Sequence, residues 1–129
     1  MGKLNVKYLG GRAFEASSRS HKFIIDQPLG LNGKDAGPTP TELFVTSLAS
    51  CVGIELAFYC EKFKWDPTGL EVEANYANLP DRIGKISLEV SLPSAKSEEE
   101  RKETLGWAEK CFIHNTILHG PEIKITFNK

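Results

Sequence analysis

Pro40-Thr-Glu-Leu-Phe-Val-Thr-Ser-Leu-Ala-Ser-Cys51-Val-Gly-Ile-Glu55 is the stretch on which the reading of this chain turns. Thr39 precedes it as an N-cap. Pro40 suits the first helical position, where its missing N–H costs nothing, and Glu42 falls three residues after Thr39. Thr39-x-x-Glu42 is therefore a capping box. The helix is expected to run to about Lys62. It is apolar nearly all round, which predicts burial on most sides. Ala49, Ser50 and Gly53 are small enough to let another helix come close. A long buried helix in a chain of 129 residues points to a second subunit that covers it. The apolar run 43–58 is interrupted by Thr46, Ser47, Ser50 and Glu55, and reads as too short and too polar to cross a bilayer.

Before this helix the pattern is that of strands. Leu4, Val6 and Tyr8 alternate along 4–9, Gly10-Gly11 punctuates, and 13–16 and 21–26 continue in the same way. A Gly- and Pro-rich loop, 28–40, leads into the helix. After the helix, Trp65-Asp-Pro-Thr-Gly69 is a turn. Strands are expected at 70–76 and 85–92, joined by a hairpin loop around Asn78-Leu-Pro-Asp-Arg82. Ser97-x-x-Glu100 is a second capping box. It opens an amphipathic helix with Leu105, Ala108 and Phe112 on one face and Cys111 near its end. A short helix or turn is expected over 115–119, and a closing strand over 122–127. The order βββ–α–ββ–α–β, with sequential hairpin-joined strands, predicts an α+β fold with a mostly antiparallel sheet and a long buried central helix, in a single domain over 1–129.

With 16 Lys and Arg against 17 Asp and Glu, the formal charge is −1. This gives no electrostatic case for nucleic acid or an acidic membrane. The N-terminus lacks the apolar core of a signal peptide. Three cysteines at these spacings match no secreted disulfide framework. A cytoplasmic location is expected, where a disulfide would be transient and catalytic.

The cysteines are the candidates for chemistry. Cys51 lies well past the first turn of its helix, beyond the reach of the helix dipole, so a reactive thiolate there needs a cation nearby in space. Its plain alternative is a small buried hydrophobe. Cys60 is nine residues on, about half a turn out of phase, and is read as structural. Cys111 begins Cys-Phe-Ile-His114, and the two would share a face if the helix continued. A zinc site would need two further ligands at suitable spacing, which the sequence lacks. Arg12 follows Gly10-Gly11, which frees the backbone to aim its guanidinium inward; an ordinary turn with a solvated arginine is the alternative. Glu42 is explained by the cap. Glu55, one turn after Cys51, needs a partner if it is buried.

Together these residues resemble the OsmC-like family, which includes the osmotically inducible proteins and the organic hydroperoxide resistance proteins. Gly10-Gly11-Arg12, Gly37-Pro-Thr-Pro-Thr-Glu-Leu-Phe…Leu-Ala-Ser-Cys51 and Cys111-Phe-Ile-His-Asn-Thr-Ile carry the likeness, which covers nearly the whole chain. It implies an intertwined homodimer with two active sites at the subunit interface. It also implies a stress-response peroxidase that reduces organic hydroperoxides, regenerated by an external dithiol and needing no metal, haem or flavin. In that scheme Cys51 is the peroxidatic cysteine, Cys111 resolves it as a disulfide, and Arg12 holds the thiolate and orients the peroxide. Glu42 is the first choice for the carboxylate balancing Arg12, with Glu55 second; Arg19, Lys34 or His114 are the alternative cations. The chain departs from the hydroperoxide reductases at two positions. Aligned on Leu43-Phe44, Thr41 stands where those proteins carry the Glu that pairs with the arginine. Glu42 follows one residue later, about 100° round the helix. Phe112 stands where Pro usually follows the second Cys. The Pro-Thr-Glu-Leu version resembles a distinct branch, so a dimeric protein that binds a small apolar or sulfur-containing ligand without turnover is the second reading. A plain interaction module is the third.

Overall fold

In the computed structural model, residues 2–128 are described, and the chain forms two compact units, the first through Val45 and the second from Thr46.

The first unit is a three-stranded antiparallel sheet in the order β1 (Asn5–Gly10), β2 (Ala13–Ser18), β3 (His21–Ile25). The β1–β2 turn uses both glycines in the positive-φ region, Gly10 at 114° and Gly11 at 56°, a conformation that side-chain-bearing residues adopt at a cost. The register slips between Tyr8 and Gly10 as the strand enters this turn. The loop after β3 contains one short 3-10 turn, Leu29–Leu31, and is built around Asp26, which is 1% exposed. The Asp26 carboxylate accepts N–H bonds from Gln27 (2.7 Å), Lys34 (3.2 Å) and Ala36 (3.2 Å). Its own N–H donates to the carbonyl of Pro38 at 3.2 Å. The backbone is so close that a Cβ on Gly33 would fall on the carbonyl of Gln27, and one on Gly37 on that of Ile24.

That loop delivers Thr39 to the start of α1 (Pro40–Phe63). The capping box is present: Thr39 N–H donates to Glu42 Oε1 at 2.9 Å, and Glu42 N–H to Thr39 Oγ1 at 3.1 Å. At the other end Lys64 takes a left-handed φ of 60°, and Trp65 N–H closes back on the carbonyl of Cys60 at 2.8 Å, a helix stop of the Schellman kind. The helix has 24 residues. Among the described residues it is the one helix long and apolar enough to cross a membrane by length and composition alone. This differs from the reading of run 43–58, because the helix extends three residues before that run and five after it.

In the second unit α1 buries a stripe of Leu48, Val52, Leu56 and Cys60. The expected burial on most sides is not met within one chain, since Ile54 is 70% and Phe58 54% exposed. Leu48, Val52 and Leu56 form the core with Trp107 and Cys111, flanked by Val72, Ile86, Leu88 and Val90. The last four come from the antiparallel hairpin β4 (Glu71–Asn78) and β5 (Ile83–Ser91), whose alternate residues face the helix. Trp107 lies nearly parallel to the rings of Tyr59 (5.3 Å) and Phe63 (5.6 Å) and edge-on to Trp65 (4.8 Å). Cys60 is fully buried in a smaller cluster with Leu92 and Ala95.

Helix α2 (Glu98–Ala108) starts at the expected capping box of Ser97 and Glu100. Its buried residues are Thr104 and Trp107, whereas Leu105 is 55% exposed and Phe112 is 77% exposed in the next element. The expected 105/108/112 face is therefore corrected. The chain turns at 109–111 and starts a separate helix, α3 (Phe112–Leu118), so the 3.6-residue period does not carry across. The closing strand expected over 122–127 does not form. This segment has no secondary structure, and no strand of the described chain lies beside it to supply the ladder.

Candidate functional site

The break between α2 and α3 shapes the site. Cys111 is the N-cap of α3, with extended backbone (φ −65°, ψ 126°), and its Sγ accepts the N–H of His114 at 3.4 Å. His114 thus meets Cys111 through its backbone, not through an imidazole on a shared helical face. Cys111 is completely buried, and Cys51 on α1 packs against the same core and interacts with its thiol. The two segments, sixty residues apart in sequence, are brought together because α1 and the α2–α3 corner share one core. Cys51 is partly exposed, and all three cysteines are free thiols.

Burial pushes the Cys111 thiol up from its ordinary range, and the interaction with Cys51 adds to the rise; the N–H of His114 opposes both. Cys111 therefore keeps its proton at neutral pH and can donate it toward Cys51 Sγ. The pair is asymmetric. One thiol reaches solvent, and the other is enclosed and held neutral. Its surroundings are apolar: Leu48, Val52, Leu56, Trp107 and Ile113. Cys60 is also pushed up, by burial and then by the charge of Asp66. It packs with Leu92, Ala95, Trp65 and Leu70, in a cluster that does not include the pair.

In the first unit, Arg12 is exposed and lines a cavity of about 420 Å³ with Tyr8, Phe14, Ile25, Asp26 and Pro40. The ion pairs among the described residues are Lys22–Glu15 and Arg82–Asp81. Glu42 spends its carboxylate on the Thr39 N–H. Glu55 is half-buried on α1.

Sequence reasoning missed Asp26. Hydrogen bonds from Gln27 first, and from Ala36 and Lys34, hold its carboxyl below the usual range against the opposing effect of burial. An Asp at a strand end, directly before a Gly- and Pro-rich loop, was the available signal. Among the described residues, no group of His, Cys, Asp or Glu is arranged to hold a metal ion.

A family model described as OsmC-like protein matches residues 33–126. No curated protein sequence matches the chain. Among solved structures, a candidate osmotic stress induced and detoxification response protein from Psychrobacter arcticus superposes with a TM-score of 0.82 at 22% identity, covering 90% of this chain and 88% of that one. An OsmC-like protein from Mycoplasma pneumoniae gives 0.75 at 22% identity, over 93% and 88%. The organic hydroperoxide resistance protein OhrB of Bacillus subtilis gives 0.60 at 22% identity, over 90% of each chain. At these identities the likeness is one of fold.

Proposed function

The chain belongs to the OsmC-like protein family, and on that premise we propose that it is a thiol-dependent peroxidase that reduces organic hydroperoxides through Cys51 and Cys111. The observation that carries the reading is the asymmetric thiol pair on one core: Cys51 partly exposed, Cys111 buried beside it and kept protonated. The Cys51 thiolate attacks the terminal oxygen of ROOH. The O–O bond breaks, an S–O bond forms, and the alkoxide leaves as ROH after taking a proton, so Cys51 becomes a sulfenic acid. The Cys111 sulfur then attacks Cys51 Sγ, water leaves, and a disulfide forms. An external dithiol reduces that disulfide and is itself oxidised. The apolar surroundings of the pair favour alkyl peroxides over hydrogen peroxide. A reducing cytosol would keep the thiols ready between cycles.

Arg12 is the proposed cation for the thiolate, and Glu42 its proposed carboxylate. Arg12→Ala should then slow alkylation of Cys51 at neutral pH, and an unchanged rate would move the role to another cation. The working form is proposed to be a homodimer. Support comes from Ile54 and Phe58 on α1, and from the alternating Ile123, Ile125 and Phe127, exposed at 79%, 92% and 92%, an apolar surface larger than single scattered residues explain.

A second reading, a binding protein on the same fold without turnover, is favoured by Thr41 at the helix start and by the commitment of Glu42 to the cap. Steady-state consumption of cumene hydroperoxide with excess dithiothreitol separates the two. The peroxidase reading expects turnover that disappears in Cys51→Ser. A wild-type rate no higher than that of Cys51→Ser would leave the binding reading.

A further inference from the structure

A second cavity, of about 630 Å³, lies between the end of β5, the loop after it and α2. Its size is that of a small-molecule site. Val90, Leu92, Ala95 and Leu105 make its wall apolar, and two cations, Lys96 and Arg101, line it with no carboxylate among the lining residues. Arg101 is oriented: its Nε donates to the carbonyl of Ala95 at 3.2 Å, which fixes the plane of the guanidinium. Among the described residues Arg101 forms no ion pair. The nearest acidic residue in sequence, Glu100, has its carboxylate bonded to the N–H of Ser97 at 3.1 Å, and it is Glu100 that feels the charge of Lys96. Arg101 is thus the cation left for a ligand.

We propose that this cavity binds an aliphatic carboxylate of medium chain length. The hydrocarbon lies against Leu92, Ala95 and Leu105, and the carboxylate takes the remaining N–H groups of Arg101 with Lys96 beside it. A planar guanidinium already held on one side suits a carboxylate, because its remaining donors are presented in a fixed fork. An apolar wall beside a cation selects an amphiphile over a small hydrophilic anion. The proposal is independent of the peroxidase reading, because Leu92 and Ala95 pack in the Cys60 cluster, and of the named wall residues Val90 alone flanks the core that holds the thiol pair.

The test is a titration of the intact protein with decanoate, followed by backbone amide NMR. Decanoate should bind saturably, with the largest shifts at 90–96 and 101–105. Decanol, the uncharged analogue, should bind at least about tenfold more weakly. Arg101→Gln should reduce decanoate affinity to the level of decanol, and Arg101→Lys should restore part of it. Leu105→Glu, which places a like charge in the cavity, should weaken decanoate more than decanol. Equal decanoate affinity in wild type and Arg101→Gln would overturn the proposal, as would shifts centred on Cys51 and Cys111. Shifts at 90–105 that follow protein concentration and not decanoate would show a second copy covering the cavity, and would also overturn it.

Discussion

At the scale of single residues, burial and hydrogen bonding divide labour among groups that look alike in sequence. Cys51 and Cys111 are equally plain thiols until the core closes one of them off and points it at the other. In the proposed cycle, Cys111→Ser should therefore leave Cys51 as a sulfenic acid, trappable by dimedone, which overoxidises with excess peroxide. A variant that still cycles with dithiol at the wild-type rate would show that Cys111 is not the resolving group. Asp26 gives a prediction of a different kind. Its folded-state carboxyl lies below the ordinary range, so its contribution is fully present above the unfolded value of about 3.9 and is lost as pH falls through the lower folded value. Urea unfolding from pH 6 down to 2 should show Asp26→Asn less stable than wild type at pH 6, with the difference shrinking toward pH 2. A constant difference would mean that the charge of Asp26 does not hold the loop. The two residues also mark how much of the site was legible. Cysteine spacing and helix phase exposed Cys51 and Cys111 as candidates, because both depend on local order. Their meeting, and the convergence of three loop N–H groups on Asp26, depend on long-range packing that a period or a cap does not encode.

At the scale of elements, local chemistry decided most boundaries. Both capping boxes form as their residues dictate, because the donors and acceptors lie three residues apart whatever the rest of the chain does. The failures are at 109–112 and 122–127. The first came from carrying a helical period through a corner at which Cys111 caps a new helix. The second came from reading alternation as a strand where the described chain offers no neighbouring edge. Glycines separate tight from open places in the same way. Gly106, in the middle of α2, has nothing within 4 Å of where a Cβ would stand. Gly106→Ala should stabilise the protein by about 0.5–1 kcal/mol through helix propensity. Gly37→Ala, whose Cβ would fall on the Ile24 carbonyl, should destabilise it by about 1–3 kcal/mol or more. Chemical denaturation of both variants checks the pair; a neutral Gly37→Ala would mean that the 27–38 loop is looser than the backbone packing shows.

At the scale of the whole molecule, the apolar residues still exposed on α1 and beyond 121 are the reason to expect a second copy. Sedimentation at micromolar concentration should give a dimer, and a stable monomer would refute it. Gly53 sharpens this. Within one chain a Cβ there would meet only Val72 Cγ2, at an ordinary 3.8 Å, so Gly53→Ala should be harmless to a monomer. If a partner helix approaches at Ala49 and Gly53, the same change should weaken the dimer. The central claim is that Cys51 and Cys111 form one redox unit that excludes Cys60. It is tested most directly by treating the reduced protein with one equivalent of cumene hydroperoxide, blocking the remaining thiols and mapping the peptides by mass spectrometry. The account predicts a single disulfide between Cys51 and Cys111, with Cys60 recovered as the alkylated thiol. A bridge containing Cys60, or Cys51 recovered unoxidised, would contradict it.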